Sequence, residues 1–516
     1  MKHFNVTGLC VPDKHYMASL SDKVNRIVAD YIEKGAYFTI NRARQFGKTT
    51  LLHQLEQAVR GRLLVISISF EAADDLFESK SAFVNGFLRK TSRMMRLGGV
   101  DEEVLAEWEP PVSGELPFEE LDTRITRLAQ AAGKGIVLLI DEVDKSSDNQ
   151  IFLSFLGLLR HKYMLQSCDK DVTFQSVILA GIYDVKNLKL KLRPEEEQKY
   201  NSPWNIAADF DVDLSLSTEE IQGMLEEYSA DTAIPMDILP VARRIHFYTS
   251  GYPFLVSWIC KWVDEHGNGD WSVSNIDNAE KALLKNDNTL FDDIIKNVEN
   301  QRELKKTVTR ILLEGEGIPF VKTNPAINLG TMFGIFKENS GLVAVANIVF
   351  ETFLYNHIIV GKMVEQSSFG YERNQFIANG QLDMELALRK FQEVMRAEYR
   401  KEDEAFIERQ GRLLFLCFMK PIINGRGNYY VEPETRSNTR MDVVISYGGR
   451  EYIVELKLWH GPQYREKGIR QLEEYLVNRN CESGYLISFN FNQDKEYVCC
   501  TLLLEKSGKR VYEVVV

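Results

Sequence analysis

Four short apolar runs alternate with helical patterns in the first part of this 516-residue chain. The runs lie at residues 36–41, 62–70, 135–140 and 176–181. Runs of this kind are typical of strands that are buried on both faces, and their alternation with helices predicts a parallel α/β sheet. Sheets of this class bind ligands at the carboxyl ends of their strands. The segments that follow the runs are therefore the first candidates for a site.

A basic, glycine-containing loop follows the first run. Residues 42–50 (Arg-Ala-Arg-Gln-Phe-Gly-Lys-Thr-Thr) lead into a helix whose apolar residues recur with helical spacing. The segment resembles the P-loop of ATP-binding proteins, except that Arg42 stands where that pattern has its first glycine. The resemblance implies that backbone amides of residues 45–49 surround the β-phosphate of ATP, because the free N–H groups at a helix N-terminus favour an anion.

The same resemblance assigns roles to side chains. Lys48 is expected to reach the β and γ phosphates, and the Thr49 hydroxyl is expected to bind Mg2+. The implied nucleotide-binding residues of the loop are Gln45, Phe46, Gly47, Lys48, Thr49 and Thr50.

Two acids close the third apolar run. Asp141 and Glu142 follow residues 135–140, and this order resembles the Walker B element of P-loop ATPases. The resemblance implies that Asp141 holds Mg2+ through water and that Glu142 polarises the attacking water. Taken without the P-loop, the two acids would equally suit the start of a helix. Tyr183 or Asp184, after the fourth run, is the candidate for a γ-phosphate sensor.

The region after the sheet predicts a helical lid. Ser217 precedes Glu219, Glu220 and an apolar-periodic stretch, which is the signature of a capped helix. Farther on, Gly-Tyr-Pro resembles the Gly-x-Pro element of STAND-type ATPases, which implies that Pro253 lies near bound nucleotide. Residues 300–360 resemble a winged helix, a module that either binds DNA or relays motion, and their low basic charge favours the relay role.

Near the end of the chain, two runs rich in Val, Ile and Tyr flank Gly448-Gly449. This pattern predicts a hairpin with a two-residue turn, because glycine reaches positive φ without steric cost. The register set by this turn places Asp442 opposite Glu455, and alternation along the strand puts Lys457 on the same face. Two facing carboxylates destabilise a sheet unless a cation lies between them, and a divalent metal with a lysine would supply it.

This constellation resembles the PD-(D/E)xK nuclease superfamily, with Met441 in place of the proline. The resemblance implies that Asp442 and Glu455 bind Mg2+ and that Lys457 lies beside the attacking water. The plainer interpretation is an edge-strand ion pair between Asp442 and Lys457, with Glu455 as a solvated charge.

Further residues complete the implied nuclease site. Gln471 lies on a helix predicted over residues 468–476, and Glu408 lies on a helix that opens the domain; Glu432 and Glu434 are alternatives to Glu408. A positive rim suited to phosphodiester contacts, or else an ordinary solvated surface, is formed by Arg436, Arg440, Lys457, Arg465, Lys467 and Arg470.

Length and composition fit a soluble multidomain protein. The net charge of −12 argues against attraction of DNA to the whole surface, although it does not exclude a local basic groove. The sequence has no apolar leader and no run of about 18 to 20 apolar residues, which predicts a cytoplasmic protein without membrane contact. Seven cysteines without C-x-x-C spacing predict neither a disulfide framework nor a zinc site.

Together the motifs make the chain similar to bacterial AAA-like, STAND-related ATPases with a C-terminal PD-(D/E)xK domain. The expected fold class is α/β, with a P-loop ATPase core at 1–213, a helical lid at 214–295, a winged-helix-like module at 296–368 and a nuclease-like domain at 369–516. The expected function is ATP binding and hydrolysis that control Mg2+-dependent cleavage of DNA, with ATP and Mg2+ as cofactors.

Two alternatives stay open from the sequence. In one, a switch ATPase uses the nuclease-like domain to bind a protein partner or nucleic acid without cleaving it. In the other, the chain is an ATPase that remodels nucleic acid. A protein partner or self-association is compatible with each.

Overall fold

The computed structural model describes most of the chain, in two compact units. The described residues are 2–111, 114–146, 150–182, 204–314, 317–365, 373–378, 381–398, 408–423, 427–430, 443–459, 461–479, 481–490, 495–504 and 507–516. The first unit contains Met1–Leu304 and Pro319–Phe350, and the second contains Lys305–Ile318 and Glu351–Val516. The chain therefore crosses from one unit to the other within the stretch predicted as a winged-helix-like module.

The first unit combines a sheet with many helices. Its strands are β1 (His3–Phe4), β2 (His15–Tyr16), β3 (Tyr37–Asn41), β4 (Leu64–Ser69), β5 (Ile136–Asp141), β6 (Ser176–Gly181), β7 (Phe336–Asn339) and β8 (Leu342–Val345). Its α-helices are α1 (Ser21–Ile27), α2 (Lys48–Val59), α3 (Lys80–Leu97), α4 (Glu102–Ala106), α5 (Phe118–Ala131), α6 (Gln150–Gln166), α7 (Thr218–Thr232), α8 (Ile238–Thr249), α9 (Pro253–His266), α10 (Val273–Leu283), α11 (Thr289–Asn300) and α13 (Pro325–Met332). A π-helical turn (Val28–Ile32) and 3-10 turns (Asp74–Phe77 and Val143–Ser146) complete it.

Two helices carry the chain between the units, and the remaining elements lie in the second unit. The connecting helices are α12 (Arg302–Glu314) and α14 (Ile348–Glu365). The second unit contains a 3-10 turn (Arg373–Phe376), β9 (Ile377–Ala378), β10 (Gln381–Leu382), α15 (Met384–Glu398), α16 (Glu408–Ile423), β11 (Gly427–Tyr430), β12 (Val443–Tyr447), β13 (Arg450–Leu458), α17 (Pro462–Asn478), β14 (Ser483–Phe489), β15 (Cys499–Leu503) and β16 (Arg510–Val515).

The four apolar runs of the sequence form one parallel sheet, as predicted. The strand order is β3-β6-β5-β4, and every neighbouring pair is parallel. The strand that precedes the basic loop therefore lies beside β6, and β6 lies beside the strand that ends in Asp141. This order brings the carboxyl ends of three strands, and the loops that follow them, to one edge of the sheet.

Both faces of this sheet are covered, which explains why its strands are apolar throughout. Alternate residues of one strand enter different cores: Leu138 and Ile140 pack with α3, α5 and α6, whereas Val137 and Leu139 pack with α1 and α2. All four side chains are almost completely buried. The chain thus has the α/β architecture, with a parallel sheet between helical layers, that the sequence predicts.

The helix predicted after Ser217 is confirmed with its cap. Ser217 Oγ accepts from the Glu220 backbone N at 3.2 Å, and the Glu220 carboxylate accepts from the Ser217 backbone N at 2.7 Å. This reciprocal capping box satisfies amide groups that the first helical turn leaves free. Lys23 Nζ also lies 2.6 Å from the Glu220 carboxylate, so the start of α7 is tied to α1.

The second unit contains a six-stranded mixed sheet in the order β11-β12-β13-β14-β16-β15. The hairpin register predicted from the Gly448-Gly449 turn is confirmed for the described residues, because Val443 faces Val454 and Tyr447 faces Arg450. Both turn glycines have positive φ, 57° and 78°. Asp442, one residue before this ladder, lies outside the described residues.

A helix covers each face of this second sheet. On one face, Ile453 and Leu486 pack with Leu472 and Leu476 of α17, the helix predicted over residues 468–476. On the other face, Phe489 packs against α16 at Gly411. Among the helices that the structure describes, none has the length and apolar character needed to cross a bilayer.

Candidate functional site

The loop after β3 adopts a conformation suited to binding an anion. Gln45 and Gly47 both have left-handed backbone conformations, with φ of 55° and 81°, and α2 begins immediately afterwards at Lys48. Glycine reaches this conformation without steric cost, which accounts for its place at the helix N-terminus. Successive turns of this kind direct backbone N–H groups into one concavity, where the helix dipole adds positive potential.

Lys48 is buried at the centre of this loop, with only 8% of its surface exposed. Its Nζ donates to the backbone carbonyls of Arg42 and Ala43, each at 2.9 Å. Burial lowers the pKa of the Lys48 ammonium, and the nearby Asp144 and Asp141 carboxylates oppose that shift. The lysine thus closes the loop upon itself, with its charge held by neutral carbonyl groups.

Thr49 and Asp141 meet at the edge of the sheet. Thr49 Oγ1 donates to Asp141 Oδ2 at 2.8 Å, and the other Asp141 oxygen accepts from the Glu142 backbone N at 2.9 Å. A hydroxyl oxygen beside a carboxylate is a donor set that suits Mg2+, so these residues fit the implied metal. Glu142, with φ of 57°, turns the chain sharply away from the strand end.

Arg42, which replaces the first glycine of the P-loop pattern, connects the loop to a neighbouring segment of the chain. Its guanidinium donates to the carbonyl of Asn41 at 2.9 Å and to the carbonyl of Val212 at 2.8 Å. It also lies over the Phe210 ring, 5.5 Å from the ring centroid. Arg42 therefore connects the loop to the segment that precedes the lid, a contact that glycine could not make.

Asp144 is a member of the site that the sequence did not indicate. Its Oδ1 accepts from the Ile182 backbone N at 2.6 Å, which joins the loop after β5 to the end of β6. A Cβ placed on Gly181 would lie 2.3 Å from this oxygen, so the close approach requires glycine there. The signal available in the sequence was an additional acid three residues after Asp141. Tyr183 and Asp184, the candidate sensors, lie outside the described residues.

The start of α9 lies against the loop. A Cβ placed on Gly47 would lie 3.8 Å from Pro253 Cγ, so Pro253 is adjacent to the loop. The Tyr252 hydroxyl donates to the Arg44 carbonyl, and its ring meets Phe46 edge-on with centroids 4.7 Å apart. Burial raises the pKa of Tyr252, which keeps its hydroxyl protonated as a donor.

Helix α11 holds the outer side of the same loop. Gln45 Nε2 donates to Thr289 Oγ1 at 3.0 Å, and Arg44 Nη1 lies 3.5 Å from Asp293 Oδ1. On the remaining side, Thr50 Oγ1 accepts from the Cys10 backbone N at 3.2 Å.

The second predicted site centres on Glu455 and Lys457 of β13. Glu455 is completely buried, and its Oε1 lies 2.8 Å from Lys457 Nζ. Because β13 lies inside the sheet between β12 and β14, the interpretation of Glu455 as a solvated charge near a sheet edge is wrong. Burial of an ionised carboxylate costs much free energy of desolvation unless a nearby cation compensates its charge.

Helix α17 passes directly over this ion pair. A Cβ placed on Gly468 would lie 3.1 Å from Lys457 Cγ, and Gln471 is one helical turn farther along. The Gln471 Oε1 atom is buried and has no hydrogen-bond partner among the described residues. Tyr475, one helical turn after Gln471, is buried in the core with Leu472 and Leu476.

The structure describes only some of the other predicted members of this site. Asp442, Glu432 and Glu434 lie outside the described residues. Glu408 begins α16, but its side chain is not among those described. Within the described part of the chain, no three His, Cys, Asp or Glu side chains form a cluster that could hold a metal ion.

The positive rim expected around this site is partly neutralised. Arg465 forms a two-pronged ion pair with Glu513, with distances of 2.8 and 2.6 Å. Glu513 is almost completely buried, and it lies in the same row of the sheet as Leu486 and Glu455. Arg470 approaches Glu466 at 3.4 Å. Sequence reasoning missed Glu513, since it lies on the last strand, far from the motif.

Comparison with known proteins agrees with the geometry of the first site. Residues 15–258 match the family described as "AAA-like domain". The chain is similar to a Walker-type ATPase of Pyrococcus abyssi, with 13% identity and a TM-score of 0.44, over 68% of this chain and 99% of that chain. It is also similar to an ORC2 protein of Aeropyrum pernix, with 13% identity and a TM-score of 0.37, over 67% of this chain and 95% of that chain.

A third solved structure, RuvB of Thermotoga maritima, is 13% identical with a TM-score of 0.32, over 63% of this chain and 91% of that chain. No curated protein matches the sequence. Because all three TM-scores lie below 0.5, the assignment depends on the family match and on the arrangement of Lys48, Thr49 and Asp141. Residues 15–258 are therefore similar to the AAA-like domain family, and the arrangement of Lys48, Thr49 and Asp141 supports nucleotide binding by this part of the chain.

Proposed function

We propose that this protein is an ATP-driven switch in which the nucleotide state of the P-loop controls a Mg2+-dependent DNA nuclease site in the second unit. The observation that carries the proposal is the completely buried Glu455 paired with Lys457 at 2.8 Å, in the register predicted for a PD-(D/E)xK hairpin. The ATPase half is supported by the family match and by the contact between Thr49 and Asp141.

Lys48 is the group that changes partners when nucleotide binds. Its ammonium now rests on two neutral carbonyls, of Arg42 and Ala43. Phosphate oxygens accept charge-assisted hydrogen bonds, which are shorter and about twice as strong as neutral ones. Lys48 therefore transfers to the β and γ phosphates and releases the carbonyls. Thr49 and Asp141 would hold Mg2+, which would neutralise phosphate charge, and Glu142 accepts a proton from the attacking water.

The route from the P-loop toward the second unit is supported by two sets of contacts. Helix α11 contacts Arg44 and Gln45, and a single residue separates it from α12, which continues into the second unit. Phe350, in the first turn of α14, packs edge-on against Tyr252 with centroids 5.2 Å apart. Tyr252 in turn donates to the Arg44 carbonyl. Helix α14 thus begins beside Tyr252, a neighbour of the nucleotide loop, and α12 follows α11, whose first turns contact that loop.

In the nuclease site, the chain's own groups have distinct roles. Glu455 and Asp442 would hold Mg2+ through their carboxylates, and the ion would supply an activated water for attack on the phosphodiester. Lys457 moves its ammonium from Glu455 toward the charge that develops on the phosphate. Gln471, whose buried Oε1 has no hydrogen-bond partner among the residues that the structure describes, orients the attacking water.

One observation favours a second candidate function, recognition of nucleic acid or a protein without cleavage. The Lys457 ammonium already balances the Glu455 charge, so the described pair is electrostatically complete without a metal. A chain of this kind would use the second unit as a binding module under ATP control.

Lys48→Ala tests the P-loop assignment. The change removes hydrogen bonds to charged phosphates, each worth about 1.5–3 kcal/mol, so we expect ATP affinity to fall ~10- to 100-fold or more. The measurement is titration with a fluorescent ATP analogue. Lys34→Ala, at an exposed lysine paired with Asp30, is the matched control and is expected to bind normally. Unchanged affinity in the Lys48 variant would rule out this loop as the nucleotide site.

Gly334→Ala tests the connection between the loop and the region before α14. Gly334 has φ of 69°, and a Cβ there would lie 2.7 Å from the Ala43 Cβ. Crowding of this kind costs about 1–3 kcal/mol, so we expect ATP affinity to fall about tenfold and the effect of ATP on DNA cleavage to weaken.

Gly341→Ala is the control for backbone strain. Gly341 has a similar φ of 81°, but nothing lies within 4 Å of its added Cβ. Because alanine is strained at positive φ, this variant is expected to lose about as much thermal stability from backbone strain as Gly334→Ala does. Its affinity for ATP is expected to be unchanged. Equal affinities for ATP in the two variants would show that the contact with Ala43 has no influence on the nucleotide loop.

Lys457→Ala tests the nuclease assignment. Loss of one preorganised charge at the reacting phosphate is expected to lower Mg2+-dependent nicking of plasmid DNA by about 10²–10³-fold, while ATP binding is unchanged. Lys390→Ala, at an exposed lysine of α15 paired with Glu393, is the control. DNA binding is measured in parallel with Ca2+. Nicking that persists in the Lys457 variant would refute the assignment, and a wild type that binds DNA but never cuts it would favour the non-cleaving alternative.

A further inference from the structure

The last half of α9 and the end of α10 enclose a cavity of about 390 Å3 that the proposed ATPase site does not use. We call it the tryptophan groove. Its aromatic and polar lining residues are Trp258, Lys261, Trp262, Glu265, His266, Lys285 and Asn286. A volume of this size is within the range of pockets that bind small organic groups.

An aromatic stripe forms one wall of the tryptophan groove. Trp258, Trp262 and His266 recur every four residues along α9, which places them on one side of the helix. The Trp262 and His266 rings are stacked, with centroids 5.0 Å apart and planes inclined by 13°. The buried residues of α9, such as Ile259 and Val263, lie on the neighbouring face of the helix, about 100° from the tryptophan that precedes each of them. The indoles are therefore only half-buried, and their placement is not explained by the core.

Hydrogen-bond donors and positive charge surround these rings. Lys261 lies 3.7 Å from Glu265, a long and exposed ion pair that holds the ammonium only weakly. Lys285 and Asn286 are exposed at the end of α10, and Lys285 makes no ion pair within the part of the chain that the structure describes. The groove thus has a net positive charge in a protein whose total charge is −12.

The tryptophan groove is separate from the nucleotide loop. Pro253, in the first turn of α9, is the residue adjacent to Gly47. Trp262 lies nine positions farther along the helix, which corresponds to about 13 Å at 1.5 Å per residue. A ligand in the groove therefore would not be the ATP held by Lys48.

We propose that the tryptophan groove binds an unpaired base of single-stranded nucleic acid. The base stacks against the indole of Trp258 or Trp262, and Lys261 and Lys285 contact the phosphates on either side of it. Stacking on aromatic side chains combined with flanking cations is the arrangement by which proteins hold single strands without reading their sequence. An apolar protein surface fits less well, because it would leave the ammonium groups of Lys261 and Lys285 without acceptors.

The test is a fluorescence titration of the full-length protein with a twelve-residue oligothymidylate in EDTA, which prevents metal-dependent cleavage. Binding is expected to quench tryptophan emission. Trp262→Ala is expected to weaken binding about 5- to 150-fold, the range found when one stacked base loses its platform, whereas Trp262→Tyr retains most of the affinity. Lys285→Glu is expected to weaken binding and to reduce its dependence on salt concentration.

Matched controls separate this groove from the second unit. Trp459→Phe removes the half-buried tryptophan that follows β13, and it is expected to leave both the affinity and the quenching intact. ATP binding by each variant reports whether the first unit is folded; if Trp262→Ala has lost it, Trp262→Tyr and Lys285→Glu decide the matter. The proposal stands independently of the nuclease assignment, because Lys457→Ala is expected to bind the oligonucleotide normally.

Three results would overturn the proposal. The first is wild-type affinity in folded Trp262→Ala, together with unaltered binding in Lys285→Glu. The second is equal affinity for thymidine monophosphate and for the oligonucleotide, which would indicate a free nucleotide as ligand. The third is absence of any binding of the oligonucleotide by the wild type, which would leave a protein surface as the remaining occupant.

Discussion

The buried ammonium of Lys48 is the interaction around which the nucleotide site is organised. A lysine with so little exposure needs acceptors, and here the carbonyls of Arg42 and Ala43 serve in that capacity. These carbonyls belong to the loop that the lysine itself terminates, so the charge draws the loop into a closed turn. The positive φ of Gly47 makes that turn possible. The carboxylates of Asp144 and Asp141 lower the cost of burying the Lys48 charge.

Contacts from three other regions converge on the outside of the same loop. Tyr252 binds the Arg44 carbonyl, Asp293 approaches the Arg44 guanidinium, and Gly334 packs against Ala43. These residues come from α9, from α11 and from the turn before β7. Movement of Lys48 would alter a loop on which all three depend. This is the physical basis for proposing that the nucleotide state is transmitted along α12 and α14.

Much of this architecture could be predicted because local rules determine it. Apolar runs that alternate with helices are sufficient to predict a parallel sheet. A Gly-Gly turn fixes the register of a hairpin, and a slip of one residue would move every side chain of the strand to the other face of the sheet. The same locality explains the capped start of α7 at Ser217. Prediction of the P-loop likewise needed only a short segment and the strand that precedes it.

Contacts between distant segments were beyond sequence reasoning. Arg42 was noted as a departure from a pattern, yet its partner at Val212 is known only from the fold. Glu513 neutralises Arg465 from the last strand of the sheet, which no local motif signals. Asp144 was overlooked because its role depends on the neighbouring end of β6. In each case a single polar side chain joins segments that only the strand order brings together.

The central claim is that Lys48 exchanges loop carbonyls for nucleotide phosphates. A crystal structure with a non-hydrolysable ATP analogue and Mg2+ tests it most directly. The account predicts Lys48 Nζ within hydrogen-bond distance of the β and γ phosphates and no longer bound to both the Arg42 and Ala43 carbonyls. Nucleotide bound elsewhere, or Lys48 still bound to both carbonyls beside an occupied loop, would contradict it.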